Sequence, residues 1–182
     1  MNKSLIRILI FVAIAGLAFF GKKAFMSPKY SDGEMAPDFE TTLIDGQAFT
    51  LSNLRGNYVL IDFWGTWCGP CRVEFPKLKA LHDKYHDKQF KDAKNFHIVG
   101  IALEREGERS LDRTKRSIKS LGLNWDYHIF DPVTNFKLLN AEIATGLYGV
   151  REVPTKYLIG PEGNIIGVNL PFEEIEKILQ GQ

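Results

Sequence analysis

Cys68 and Cys71, in "FWGTWCGPC" (63–71), are the two cysteines of a 182-residue chain. Two thiols three positions apart can form a redox couple, half of a metal site or a structural staple. The staple has the weakest basis, because closing so small a loop removes little entropy from the unfolded chain. A metal site would recruit His82 and His86, which follow at nearly zinc-finger spacing. If 70–85 is one helix, however, Cys71 and His82 lie roughly 16 Å apart along its axis, too far to share one tetrahedral ion. Both histidines read instead as solvated positions on the polar side of "LHDKYHDK". Redox chemistry remains.

The elements around the pair support that chemistry. "YVLIDFW" (58–64) is a continuous apolar run of strand length, as expected for a strand covered on both faces. A helix is expected over 70–85, with Phe75, Leu78, Leu81 and Tyr85 on one face. Cys68 then falls where unpaired N–H groups and the positive end of the helix favour a thiolate. Cys71, one turn inside, is expected to be more buried. The asymmetry assigns roles: Cys68 attacks a substrate disulfide and Cys71 resolves the mixed disulfide. Pro70, in the first helical turn, forfeits no hydrogen bond.

Further strands are expected at "FHIVGIAL" (96–103) and "WDYHIF" (125–130), with a helix over 111–121 stopped by Gly122. A second helical insertion is expected in "NFKLLNAEIATGLYG" (135–149). A hairpin turning at Pro161-Glu162-Gly163 and a closing helix, "FEEIEKIL", complete the chain. "DFETTLIDGQAFTL" (38–51) reads as two short strands around Asp45-Gly46, and "LSNLRGN" as a short helical turn. The pattern is α/β: a βαβ unit joined to a ββα unit.

Apolar residues are 45% and charged residues 25% of the chain, and the net charge of +1 argues against nucleic-acid binding. The N-terminus departs from this balance. Residues 5–21, "LIRILIFVAIAGLAFFG", are apolar apart from Arg7, and as a helix span roughly 25 Å. We divide the chain into an N-terminal membrane anchor (1–23), a tether (24–34) and one domain (35–182). A cleaved signal is the alternative for 1–23, with no clean small-residue cleavage site to favour it. Either reading places the domain outside the cytoplasm, on the periplasmic side of the inner membrane if anchored or secreted if cleaved.

"FWGTWCGPCRVEFP" resembles the active site of membrane-tethered thiol-disulfide oxidoreductases of the ResA/TlpA-like family, in the thioredoxin superfamily. "MAPDFETTLIDGQAFTLSNLRGNYVLIDFW" resembles that family's opening hairpin and first core strand, and "YGVREVPTKYLIGPEGNII" its cis-proline segment. The resemblance implies a thioredoxin fold with an N-terminal β-hairpin extension and a helical insertion before the cis-Pro loop. It implies that the Val153 backbone pairs with substrate and that Pro154 keeps metals off the thiols. Trp67 is expected as an exposed apolar platform beside Gly69 and Pro70, while Trp64 is expected in the core. Pro76 is expected to kink the helix. Trp125, His97 and His128 are expected to be structural.

Two acids are candidates for the proton acceptor. Asp62 interrupts an apolar strand, where a carboxylate is unfavourable without a partner, and matches the buried acid of thioredoxins. Desolvation is expected to raise its titration above about 3.9. Glu74, three positions after Cys71, matches an active-site glutamate of ResA-like proteins. A buried lysine on Asp62 and a solvated Glu74 are the structural alternatives.

The resemblance implies net reduction of protein disulfides, with electrons from a membrane thiol reductant and cytochrome c maturation as a candidate pathway. No heme, nucleotide or other cofactor and no metal is expected. Three rivals stay open: a copper metallochaperone using His128, a thiol oxidase or isomerase, and a peroxiredoxin-like peroxidase. The Pro-x-x-x-Thr-x-x-Cys peroxidase motif would need a proline where Ile61 stands.

Overall fold

The computed structural model of the chain describes residues 3–26, 29–135 and 140–181. Helix α1 spans Lys3–Met26, so it takes in the first three residues expected as tether. Ile8, Phe11, Ile14, Leu17 and Phe20 are all exposed on it, with no polar face. Among the described residues no helix is long and apolar enough to cross a membrane. Residues 29–34 are docked on the domain. The Gly33 amide donates to Ile165 O at 2.8 Å, the Ile165 amide to Glu34 O at 2.8 Å, and the Tyr30 ring meets Tyr148 edge-on.

Strands β1 (Glu40–Thr42) and β2 (Ala48–Thr50) form the expected antiparallel hairpin. Its turn uses Gly46 at φ 97°, a conformation open to glycine without strain. Leu51–Leu54 is a short 3-10 turn. Strand β3 (Tyr58–Trp64) is buried at every position. It sits centrally in a five-stranded sheet ordered β5-β4-β3-β6-β7. Helix α2 (Gly69–Tyr85) follows, with Pro76 inside it, then β4 (Phe96–Glu104). Helix α3 (Leu111–Leu121) ends at Gly122, which is left-handed as a helix terminus favours.

β5 is Tyr127–Pro132, displaced two residues C-terminal to the expected strand. Trp125 therefore lies before the strand. Within the expected second helix, Glu142–Leu147 forms a six-residue π-helical turn, and 135, 140–141 and 148–149 lie outside it. Its N-terminus is held by the buried Asp131 carboxylate, which accepts from the amides of Glu142, Ile143 and Ala144. Positions 136–139 of that expected helix lie outside the described residues. β6 (Thr155–Ile159), β7 (Ile165–Val168) and α4 (Phe172–Gln180) close the chain.

β3 pairs in parallel with β4, and β4 with β5; β6 and β7 run antiparallel. Alternation along β3 splits the core. Ile61 and Phe63 face the hairpin side with Ile101, Tyr148 and Tyr157. Leu60 and Trp64 face α2 and α4, against Phe75, Leu78, Leu81, Ile175 and Leu179. Each fully buried side chain of this size contributes roughly 1.5–3 kcal/mol, which fixes α2 against β3 and so places its first turn. This is the thioredoxin fold with the N-terminal hairpin, its insertion reduced to one π-helical turn among the described residues.

Candidate active site

The strand β3 delivers the chain through Gly65-Thr66-Trp67 to the start of α2, and Cys68 is the residue that caps that helix. Its sulfur accepts from the Cys71 amide at 3.1 Å. That is the position where an Asp or Ser oxygen ordinarily caps a helix, so a negative charge there meets unpaired N–H groups and the helix dipole. Cys68 and Cys71 form a disulfide with a Cα–Cα distance of 5.4 Å. Both sulfurs are well covered: Cys68 is 3% exposed and Cys71 1%. The expected ordering holds, with a smaller difference than a surface thiol would give. Gly69 and Pro70 are exposed beside them.

The Val153–Pro154 peptide is cis. Val153 O lies 3.7 Å from the Cys68 sulfur, so the loop before β6 faces the helix start as expected. Trp67 departs from expectation. It is half-buried, its indole N–H donates to Leu103 O at 2.8 Å, and the Arg105 guanidinium stacks 4.4 Å over its ring. It is a wall of the site, tied to β4, rather than an exposed platform.

Asp62 is 1% exposed, and neither carboxylate oxygen has a hydrogen-bond partner among the described residues. It shares with Leu60 and Trp64 the face of β3 that α2 covers. Burial pushes its carboxyl from 3.8 up to about 7; the Lys156 charge opposes that rise and Glu74 adds to it. Lys156 is the cross-strand partner of Asp62 in the β3–β6 ladder and is itself 5% exposed. Its ammonium nevertheless binds Glu74, at 2.6 Å. Glu74 is thus ion-paired rather than merely solvated. Asp62 faces a buried lysine that is held by another acid.

The active-site loop is held from the far end of β4. The Glu104 carboxylate, fully buried, accepts from the Thr66 amide at 2.7 Å and its hydroxyl at 2.8 Å. Arg72 on α2 donates to Thr66 O at 2.9 Å. Lys156 and Glu104 were not among the sequence candidates. The signal for each was a charged residue in or ending an apolar strand run, "TKYLI" and "FHIVGIALE".

The histidines take no part. His82 is buried, contrary to expectation, because it continues the stripe of Cys71, Phe75 and Leu78; it stacks on His86 at 4.5 Å. His97 is partly buried on β4, edge-on to the Tyr127 ring at 5.5 Å. His128 lies on β5, two strands from β3, stacked on Trp125 at 5.3 Å. A histidine facing the thiols, which the copper reading requires, is not found there.

Residues 33–168 match the AhpC/TSA family. The thiol-disulfide oxidoreductase ResA of Bacillus anthracis is 31% identical over 168 residues, covering 91% of this chain and 86% of that protein. The chain belongs to the AhpC/TSA family and groups with the ResA thiol-disulfide oxidoreductases. ResA of Bacillus subtilis is 30% identical, over 88% of this chain and 79% of that one. The solved thioredoxin domain of a thiol-disulfide oxidoreductase from Bacteroides vulgatus superposes with a TM-score of 0.64 at 26% identity. It covers 83% of this chain and 99% of that domain. As in these ResA-like relatives, the enzyme class is thioredoxin-like thiol-disulfide oxidoreductase.

Proposed function

We propose that the domain reduces disulfides in protein substrates outside the cytoplasm through a mixed disulfide on Cys68. The observation that carries this is the sulfur of Cys68 capping α2, where the Cys71 amide donates to it at 3.1 Å. In the reduced protein the Cys68 thiolate attacks a substrate disulfide. One S–S bond forms to Cys68, and the first substrate sulfur leaves as a thiolate. The Val153 backbone, whose carbonyl oxygen lies beside Cys68, offers the extended substrate segment a partner. Cys71 then loses its proton to the Asp62 carboxylate and attacks the Cys68 sulfur. The Cys68–Cys71 disulfide forms, and the second substrate sulfur leaves with the bonding pair. The substrate gains two electrons and the protein loses two; a membrane thiol reductant restores the dithiol. Pro154, beside the sulfurs, limits their access to metal ions.

The exposed apolar helix α1 supports a membrane location for the domain. A helix apolar on every side is unfavourable in water and is matched by lipid. Helix α1 falls short of a full hydrophobic span, and we assign it as a short anchor with its flanking charges at the headgroups rather than a cleaved leader. Full-length protein should remain in the carbonate-washed membrane fraction, and a chain beginning at residue 24 should not.

The assay for the activity is reduction of a protein disulfide such as insulin by the full chain, recycled with dithiothreitol. Cys68→Ser should abolish turnover. Cys71→Ser should trap substrate on Cys68 as a covalent adduct lost on adding reductant. Substrate trapped on Cys71 instead, or no acceleration by the wild type, would remove the proposal.

A further inference from the structure

One lysine and two acids meet beneath the first turns of α2, and their pairing is not the one strand register favours. Lys156 stands directly across from Asp62, on the same sheet face, where opposite charges would ordinarily pair. Its ammonium instead closes on Glu74 at 2.6 Å, with side chains 6% and 26% exposed. Asp62, more deeply buried, is left with no hydrogen-bond donor among the described residues.

We infer that Lys156 is a positioning residue for the thiol-disulfide couple, a single buried cation whose charge Glu74 and Asp62 divide, so that Glu74 and Lys156 together set the pH at which Asp62 takes the Cys71 proton. This rests on the reading of Asp62 as that acceptor.

The surroundings leave Lys156 as the principal control. From α2, the Glu74 charge acts on Asp62, and Cys71 lies in the buried layer between that helix and the same face of β3. From β6 Asp62 faces Lys156. On β4 its neighbour is Gly100, which has no side chain, and beyond it on β5 stands His128. α4 contributes the Phe172 ring, with Lys156 and Lys77 each 5.3 Å from its centre; Glu173 and Glu174 of that helix are exposed. The Phe172 ring favours a cation at that spot and helps to hold the lysine charge near Asp62 while Glu74 grips it. When Asp62 ionises, the nearest positive charge in position to answer is the one already on Glu74. The two acids therefore act in opposition: what Glu74 withholds from Asp62, Asp62 must do without.

The experiment follows the Asp62 carboxyl by carbon NMR in the full chain, in its disulfide form, where no thiol titrates. Removing the cation in Lys156→Met should move the Asp62 midpoint up by about one pH unit. Glu74→Gln should move it down, because a repelling charge is removed and the ammonium is released toward Asp62. Lys156→Arg should stay close to wild type. Opposite shifts support the inference; an unmoved midpoint in Glu74→Gln, or shifts of the same sign, overturns it. Glu74 is partly exposed, so its variant decides the matter even if Lys156→Met does not fold. Failure of the underlying reading looks different: the carboxyl midpoints shift as stated, yet the pH profile of mixed-disulfide resolution ignores Asp62→Asn.

Discussion

The buried carboxylate of Glu104 accepts from both the amide and the hydroxyl of Thr66, at 2.7 and 2.8 Å, so the last residue of β4 holds the loop that carries Cys68. Arg113, partly exposed, reaches the same carboxylate at 3.3 Å. Glu104→Ala would leave the Thr66 amide, the Thr66 hydroxyl and Arg113 without this partner in a closed site. The expected loss is about 3 kcal/mol by urea denaturation, with Glu104→Gln losing less because an amide oxygen can still accept.

Gly65 allows the tight approach of Trp67 to β4. A Cβ at this position would fall 2.6 Å from the indole nitrogen and 2.8 Å from Leu103 O, the pair it would interrupt. Gly65→Ala is expected to destabilise by about 1–3 kcal/mol and to slow disulfide reduction, since Trp67 must move from beside Cys68. Indole fluorescence should report the displacement. An alanine variant with unchanged stability and emission would contradict the packing described.

Asp62 gives the fold a pH dependence of defined sign. Its carboxyl titrates at about 7 in the folded chain and near 3.8 when free. A raised carboxyl contributes stability that is full below about pH 4 and is lost as pH rises through about 7. The ceiling is about 4 kcal/mol. The stability of Asp62→Asn relative to wild type should therefore grow between pH 5 and pH 8, followed by denaturant midpoints at each pH. A constant difference would place a charged, solvated carboxylate at position 62.

His128 acts in the opposite sense. Burial lowers its titration from 6.5 to about 4. A depressed base contributes stability that is full above about pH 6.5 and is lost as pH falls through about 4. The loss approaches about 3 kcal/mol. His128→Phe should flatten the acid limb of the stability profile and leave the limb above pH 7 as it was.

Much of this architecture was legible where a physical signal is local. The β3 run Tyr58–Trp64, the α3 stop at Gly122 and the Asp45-Gly46 turn rest on continuous apolarity or on a glycine conformation, and each falls where expected. The cysteine pair was readable from its spacing and its place between strand and helix. What failed depended on partners distant in sequence. The Glu142–Leu147 turn begins where it does because Asp131 caps its start from β5, a contact no helical periodicity encodes. His82 looked solvated by its charged neighbours but lies on the buried stripe of α2. Trp67 looked exposed beside Gly69 until the β4 carbonyl of Leu103 engaged it. Asp62 and Glu74 were visible singly; the lysine that joins them comes from a strand 82 positions beyond Glu74.

The central claim is that the helix start makes Cys68 the more acidic and attacking sulfur. Ultraviolet thiolate absorbance, titrated in Cys71→Ser so that a single thiol is present, tests it without requiring a reagent to reach a covered sulfur. A midpoint at least one pH unit below the ordinary cysteine value of about 8.5 is the predicted result. A midpoint at or above 8.5 would contradict it, since burial would then outweigh the amides and dipole that meet at Cys68.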